Sequence, residues 1–161
     1  MLSVSDHRHL HHFAVKALIQ RVSRAEVSVA GKTAGRIQKG LLVFLGVEKG
    51  DTEKDLAHIV KKAVSLRIFP DSEGRMNLAV KDVGAEILVV SQFTLAADCR
   101  KGKRPSFDKA ETPEKAKAMY EQAIAMISRE GITVASGEFA ADMQVSLVND
   151  GPVTFLLDSR T

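Results

Sequence analysis

The chain has 161 residues, of which 45% are hydrophobic and 27% charged, a composition typical of one compact globular domain rather than of a disordered protein. Its single cysteine, Cys99, excludes an internal disulfide framework, and no apolar run approaches the ~20 residues of a membrane span. Since the first residues also lack the apolar stretch of a secretory signal, we expect a cytoplasmic protein. The net charge of +3 is mildly basic, and it is compatible with an anionic partner without requiring one.

Residues 1–15 differ from the rest of the chain because they contain four of its five histidines: His7, His9, His11 and His12. Imidazoles bind transition metals, but a flexible tail would have to become ordered before it could hold one. We therefore predict a disordered or artificially added tail at 1–15, no metal site, and one folded domain at 16–161.

The folded part begins with strand patterns. Lys16–Val22 and Glu26–Ala30 alternate apolar and polar residues, as half-buried strands do. Gly31 and Gly35 are expected to bracket a turn. The apolar run 41–47 predicts a strand that is covered on both faces.

Two segments have the period of amphipathic helices. In 52–67 the apolar residues recur at helical spacing behind a predicted N-cap, Thr52. The second helix is predicted to have Thr112 as its N-cap, Pro113 at its first position and Gly131 just past its end.

The remaining chain supplies turns and short strands. Residues 69–74 have turn chemistry, and strands are predicted at 87–90, 132–135, 145–149 and 153–157. Because strands come first and mostly return at the end, with two helices between them, we predict a single-domain α/β (mixed α+β) fold with the helices packed against a mixed sheet.

Several kinds of enzyme are disfavoured by missing motifs. The sequence contains no GxxxxGK[ST], GxGxxG, HExxH, paired CxxC or GxSxG pattern, and no cofactor is predicted. His58, the only histidine of the folded part, lies on the side of its helix that the apolar stripe leaves free. A Ser-His-Asp or Cys-His catalytic group therefore has no base, and Cys99 is interpreted as a loop residue rather than a nucleophile.

Two polar clusters lie beside predicted strands. Ser91-Gln92-Phe93-Thr94 follows the strand at 87–90, where rigid hydroxyl and amide groups can position a substrate. Asn149–Thr154 places Gly-Pro between two strands. Taken alone, the first cluster could be a continuing strand and the second a simple turn.

In combination these clusters carry a family resemblance. SQFTLAAD (91–98), PSF (105–107) and FAADMQVSLVNDGPVTF (139–155) resemble the D-aminoacyl-tRNA deacylase family, as do ALIQRVSRAEVSV (17–29) and GLLVFLGVEKGD (40–51). The resemblance extends from about Lys16 to Leu157. It implies a barrel-like mixed sheet with two flanking helices and a homodimer with active sites at its interface. Members usually start near Lys16, so the histidines before it inherit no function.

The resemblance also implies roles for individual residues. Gln92, Phe93 and Thr94 would be catalytic, and Ser91 would line the same pocket. Gly151-Pro152 would form a cis bond that reaches into the partner's pocket, where its carbonyl oxygens accept hydrogen bonds from the substrate's ammonium group and its backbone excludes an L side chain. Arg21 matches a family arginine that braces this motif and Met143 matches another residue near it, so both would belong to the substrate-binding site.

The implied reaction is hydrolysis of the ester of D-aminoacyl-tRNA, with some hydrolysis of glycyl-tRNA because glycine has no side chain to reject. We favour assistance by the 2′-hydroxyl of the terminal adenosine, with backbone N–H groups near Phe93 and Thr94 binding the oxyanion. A covalent mechanism through the Thr94 hydroxyl is the rival, and it lacks a histidine to activate it.

Four cations, Arg100, Lys101, Lys103 and Arg104, lie in five residues and would contact acceptor-end phosphates of tRNA. The alternative is a solvated loop. Two other functions stay open from the sequence. One is a non-catalytic tRNA-binding protein, and the other is a serine or threonine esterase of small D-amino acid esters.

Overall fold

The computed structural model describes residues 14–160, which form eight strands, two α-helices and a short 3-10 turn at Phe93–Ala96. The four histidines of the predicted tail, and the prediction that they hold no metal, lie outside the described residues. The elements are β1 Lys16–Val29, β2 Lys32–Ile37, β3 Gly40–Gly46, α1 Glu53–Ser65, β4 Phe69–Pro70, β5 Met76–Leu78, β6 Glu86–Ser91, α2 Pro113–Arg129, β7 Val134–Ser136 and β8 Met143–Asp158.

The main sheet has six strands in the order β2-β1-β3-β6-β7, with β8 paired to the other side of β1. β1 is antiparallel to β2, β3 and β8, whereas β3, β6 and β7 run parallel to one another. The ends of the path approach each other at Gly35 of β2, where a Cβ atom would lie 2.3 Å from the carbonyl oxygen of Ser136. This nearly closed mixed sheet confirms the predicted fold class.

Both helices cover one face of the sheet. α1 begins with a reciprocal capping box, in which Thr52 and Asp55 each accept from the other's backbone N–H. α2 starts with Pro113 and ends before Gly131, as predicted, although the Thr112 side chain makes no capping bond. Within residues 14–160, neither helix is long and apolar enough to cross a membrane.

Alternation along the strands divides the core into two layers. On β3, Leu41, Val43 and Leu45 face the helices, whereas Leu42 packs with the second layer. That second layer lies inside the curved sheet, and Met143 and Val145 of β8 pack against it. Residues 41–47 are therefore covered on both faces, as their apolar run predicted.

Three expectations about the strands are wrong. The predicted strands Lys16–Val22 and Glu26–Ala30 belong to one strand, β1, which ends at Val29, and 145–149 and 153–157 are parts of β8. The turn after β1 is the pair Ala30–Gly31, and Gly35 lies inside β2, a strand that the sequence did not predict. Residues 69–70 of the predicted turn form β4, which pairs with the equally unpredicted β5, whereas 71–74 do form the turn between these strands.

The tail boundary also differs from the prediction, which placed residues 14 and 15 in the tail. Ala14 and Val15 are fully buried. The Ala14 N–H donates to Glu48, and Val15 exchanges hydrogen bonds with Ser159 near the other end of the chain. Two residues before β1 therefore belong to the packed structure.

Candidate active site

A pocket of about 500 Å³ lies at the carboxyl edge of the three parallel strands. This is the edge at which parallel sheets commonly bind ligands, because several strand ends and the loops that follow them converge there. The pocket is lined by Leu45, Val47, Val90, Ser91, Gln92, Phe93, Ala110, Glu111, Pro113, Ala116, Phe139, Ala140, Ala141, Met143 and Val145.

The SQFT cluster turns sharply at the end of β6. Ser91 is the last strand residue, and the backbone N–H of Gln92 donates to the carbonyl oxygen of Leu45 at 2.8 Å. The 3-10 turn then lies directly against β3. A Cβ atom at Gly46 would be 2.8 Å from the Cβ of Leu95, so only glycine permits this approach.

The first N–H groups of the 3-10 turn are those of Phe93 and Thr94. Gln92 makes no capping bond to them, and within residues 14–160 neither the Phe93 nor the Thr94 N–H donates to a protein acceptor. The first donors of a helical turn have no partner inside the turn. The segment can therefore supply two adjacent N–H donors to an oxygen atom of a ligand.

The Thr94 hydroxyl accepts a hydrogen bond from the side-chain amide of Gln92. An amide NH₂ donates a proton and cannot take one from the hydroxyl. His58 lies on the exposed side of α1, and Cys99 is an exposed loop residue, as predicted. In the described part of the chain, Thr94 thus has a partner that orients it and no base that activates it.

The Gly151-Pro152 peptide bond is cis, as the resemblance implied. It lies in a bulge of β8, because Thr154 pairs with Gln20 and Asn149 pairs with Val22, leaving Arg21 alone opposite the residues between them. Asn149 closes the bulge by accepting from the Val153 N–H at 2.7 Å and donating to the Val153 carbonyl at 3.2 Å.

Arg21 joins this bulge to the rest of the fold. Its Nε donates to the carbonyl oxygen of Asp150 at 2.9 Å, and one terminal nitrogen donates to the carbonyl oxygen of Ile68 at 2.7 Å. The side chain is nearly buried. The planar guanidinium of Arg21, bound to two carbonyl oxygens, thus holds Asp150, the residue that precedes Gly151.

The pocket brings together only some of the predicted residues. Ser91, Gln92, Phe93 and Met143 line it. Thr94 lies on the adjoining turn. Gly151 and Pro152 are exposed and are not among the residues that line the pocket of their own chain, and Arg21 lies behind them.

Sequence reasoning missed Glu111 and residues 139–141. The Glu111 side chain is only 7% exposed and accepts from the Thr112 N–H and from Lys115. Burial opposes ionisation, but these hydrogen bonds prevail and lower the pKa of Glu111 below its ordinary value. The pocket wall therefore carries a carboxylate. The rule that ligands bind at the carboxyl edge of parallel strands could have pointed to this region.

Two further acids, Glu48 and Asp51, are buried next to the pocket wall. Asp51 accepts from the Glu48 N–H at 2.6 Å through one oxygen, while its other oxygen is buried with no hydrogen-bond partner among residues 14–160. Burial, together with the nearby charges of Glu48, Asp55 and Glu111, raises the pKa of Asp51 to about 7. No group of His, Cys, Asp and Glu in this part of the chain is suited to holding a metal ion.

The basic segment is the tip of a closed loop, and one of its cations is not free. Asp98 and Ser106 exchange two backbone hydrogen bonds of 2.8 Å, which enclose the residues between them. Arg100 binds the Asp98 carboxylate through Nε and one terminal nitrogen. This guanidinium holds the pKa of Asp98 well below its ordinary value. Arg100 thus differs from the other three predicted phosphate contacts, because it already pairs with Asp98, a residue outside the segment 100–104.

Known proteins share most of this sequence. The family model of D-Tyr-tRNA(Tyr) deacylase matches residues 18–158. A D-aminoacyl-tRNA deacylase of Geobacter sulfurreducens is 56% identical over 147 residues, which cover 91% of this chain and 97% of that protein. A D-aminoacyl-tRNA deacylase of Thermotoga petrophila is 56% identical over 145 residues, 90% of this chain and 97% of that one.

Solved structures agree with the sequence relationship. A chain named c-Myc DNA Unwinding Element Binding Protein has a TM-score of 0.83 at 41% identity, covering 88% of this chain and 97% of that one. A probable eukaryotic D-amino acid tRNA deacylase, at 18% identity, shares the fold with a TM-score of 0.77, covering 90% of this chain and 99% of that one. The resemblance carried by SQFTLAAD and NDGPVT is confirmed, and the chain belongs to the D-Tyr-tRNA(Tyr) deacylase family, the family of D-aminoacyl-tRNA deacylases.

Proposed function

We propose that this chain hydrolyses the ester bond of D-aminoacyl-tRNA, releasing the D-amino acid and free tRNA, and that it rejects L-aminoacyl-tRNA. The observation that carries the proposal is the pocket built from Ser91, Gln92 and Phe93 at the carboxyl edge of β6, in a chain of this family. We place the reaction in the cytoplasm, where charged tRNA is made and used.

Chirality is read by backbone rather than by a side-chain pocket. The carbonyl oxygens around Gly151-Pro152 accept hydrogen bonds from the ammonium group of the substrate. With the ammonium and the ester both fixed, an L side chain collides with this backbone and a D side chain points away from it. Glycine has no side chain to reject, so glycyl-tRNA is hydrolysed as well.

The hydrolytic step uses no protein base. The N–H groups of Phe93 and Thr94 bind the ester carbonyl oxygen as it becomes an oxyanion, and the 2′-hydroxyl of the terminal adenosine assists the attack of water. Support for this assignment comes from the uncapped start of the 3-10 turn and from Gln92, which donates to the Thr94 hydroxyl and cannot activate it. Covalent catalysis by Thr94 is the rival mechanism.

The active enzyme is a homodimer in which each chain delivers its Gly151-Pro152 bulge to its partner. Among residues 14–160, β8 pairs only with β1, and it exposes Val148, Phe155 and Leu156. A long edge strand with exposed apolar side chains favours association with another chain. The bulge is also absent from the lining of its own pocket, which supports delivery to a second one.

Lys101, Lys103 and Arg104 contact phosphates at the acceptor end of tRNA. No carboxylate among residues 14–160 pairs with these three side chains, which supports this role, whereas Arg100 binds the Asp98 carboxylate. The binding is electrostatic and carries no sequence preference.

The decisive measurement compares hydrolysis of D-tyrosyl-tRNA and L-tyrosyl-tRNA at substoichiometric enzyme. We expect many turnovers of the D substrate and a rate near background for the L substrate. Binding of both tRNAs without turnover would identify a non-catalytic tRNA-binding protein. Equal turnover of free D-tyrosine esters and D-tyrosyl-tRNA would identify a small-ester esterase.

We also propose that the enzyme needs no metal and no part of residues 1–13. Its activity should survive exhaustive chelation and deletion of 1–13. Deletion of 1–15 is a stricter test, because it removes the buried Ala14 and Val15 and should lower the unfolding temperature. Restoration of a chelated enzyme by zinc alone would contradict the metal-free mechanism.

A further inference from the structure

Phe93 and Phe107 form an exposed pair of aromatic rings at the rim of the pocket. Their ring centroids are 5.1 Å apart in an edge-on arrangement. The exposed fractions are 56% for Phe93 and 40% for Phe107. Phe93 belongs to the pocket wall, and Phe107 does not. The pair therefore extends an aromatic surface from the pocket onto the outside of the protein.

The backbone at Phe107 is held at the base of the basic loop. Ser106 is paired in both directions with Asp98, and the Phe107 carbonyl accepts from the Ala110 N–H at 3.0 Å. Arg104 precedes Phe107 by three residues. A partly exposed ring thus lies at the base of the loop that carries Lys101, Lys103 and Arg104, three cations with no acidic partner among residues 14–160.

We propose that Phe107 is a stacking site for an unpaired base of the tRNA 3′ end, namely the nucleotide that precedes the esterified adenosine. The inference rests on the proposed function, in which that adenosine enters the pocket. The strand leaving the pocket must cross its rim. There its base stacks on Phe107 while its phosphates face the basic loop, the combination by which proteins hold single-stranded nucleic acid.

Charge decides between two occupants of this surface. A second copy packed here through the same surface would bring the loop cations Lys101, Lys103 and Arg104 of the two chains together. A polynucleotide brings negative charge to the same place. The aromatic surface is therefore assigned to RNA, and coverage by a second copy becomes an outcome of the test.

The test compares three substrates: D-tyrosyl-tRNA, a D-tyrosyl-CCA trinucleotide and D-tyrosyl-adenosine. Phe107→Ala should raise KM for the first two roughly 5- to 150-fold, the range of one lost base–aromatic stack, and leave kcat within about twofold. D-Tyrosyl-adenosine lacks the preceding base, so its kcat/KM should stay within about twofold. Phe107→Trp should restore KM, and Phe107→Leu should not.

The matched control is Met76→Ala, which removes another exposed apolar side chain, on β5 and outside the pocket wall. It should change none of these constants. The stacking effect should also be the same at low and high salt, unlike a phosphate contact.

Three results would overturn the inference. An equal loss on D-tyrosyl-adenosine would mean that Phe107 only supports Phe93. Full rescue by leucine would mean that it is a packing residue. A molecular mass of Phe107→Ala in sedimentation that differs from that of the wild type would mean that Phe107 contacts a second copy. After any of these results, turnover of D-tyrosyl-tRNA by the wild-type enzyme leaves the proposed function intact. If the wild-type enzyme does not turn over D-tyrosyl-tRNA, both the stacking inference and the proposed function are refuted.

Discussion

The Arg21 guanidinium donates from Nε to the carbonyl oxygen of Asp150 at 2.9 Å, one residue before Gly151. Its second bond, to the Ile68 carbonyl, fixes the same group from the other side. Lysine supplies one point charge and cannot reproduce a planar fork. Arg21→Lys should therefore loosen the bulge that reads chirality and lower the ratio of D to L turnover about tenfold or more.

The same substitution should reduce the free energy of unfolding by about 1–3 kcal/mol, because it leaves a buried carbonyl without its donor. Chemical denaturation measures that loss alongside the two turnover rates. Arg24→Lys is the matched control, since Arg24 is exposed on the same strand. If Arg21→Lys keeps the full chiral ratio, Arg21 is not a positioning residue for this motif.

Neutralising Lys101, Lys103 and Arg104 to Gln should weaken tRNA binding and flatten its dependence on salt. The logarithm of the tRNA association constant falls linearly with the logarithm of the salt concentration. Each lost phosphate contact makes that slope less steep by about 0.7–0.9. Arg100 stays in place because it holds Asp98. Titration of tRNA at several salt concentrations gives the slope.

A control with the same change of net charge replaces the exposed Lys54, Lys61 and Lys62 of α1. It should leave most of the slope intact. If the two triple variants have identical slopes, the loop cations do not contact tRNA phosphates and are only solvated.

Thr94→Ala separates the two mechanisms of ester hydrolysis. Without a base near the hydroxyl, we expect this variant to keep activity within about tenfold of wild type, because the N–H donors of the 3-10 turn remain. Replacing the terminal adenosine by its 2′-deoxy form should be more damaging. Single-turnover rates measure both effects. A variant reduced to background, with Thr94→Ser active and an acyl-enzyme trapped in wild type, would establish the covalent route.

Asp51 should make the fold less stable as the pH rises. Its pKa in the folded state is about 7, whereas the unfolded chain releases the proton near 3.8. Between those values the folded state binds more protons, so its stability declines as the pH rises from about 4 to 7 and stays low above 7. Asp51→Asn removes the charge and keeps an acceptor for the Glu48 N–H.

The Asp51→Asn variant should gain about 2–4 kcal/mol of unfolding free energy at pH 8 and almost nothing at pH 4. Denaturant unfolding at the two pH values measures this difference. Asp142→Asn, at an exposed position, should be neutral at both. A gain for Asp51→Asn that is equal at pH 4 and pH 8 would show that ionisation is not its cause.

Local patterns predicted those parts of the fold that depend on local chemistry. The apolar period and the Thr52 cap gave α1, and the apolar run before Ser91 gave the end of β6. Patterns failed where pairing with a distant strand decides the outcome. Ser23 and Arg24 interrupt the alternation, yet β1 continues through them because β8 pairs across both sides of the irregularity. Asn149–Pro152 has turn chemistry and is a bulge for the same reason.

The candidate site divides in the same way. Ser91–Thr94 and Gly151-Pro152 were found because each is a contiguous motif with a family resemblance. Glu111 escaped, because its place in the pocket depends on β3 and the start of α2 meeting in space. Arg100 pairs with Asp98, which precedes it by only two residues. The basic segment was defined as 100–104, so Asp98 was not considered as a partner.

β8 places two kinds of site residue on one strand. Met143 pairs with Val29 and lines the pocket of its own chain, whereas Asn149, at the start of the bulge, pairs with Val22. At the ~3.3 Å rise of a strand they lie roughly 20–25 Å apart. In the proposed dimer each chain therefore belongs to two catalytic centres at once. Inactive variants altered at the start of β8 and in its bulge should complement each other when mixed, restoring about a quarter of the original centres through hybrid dimers.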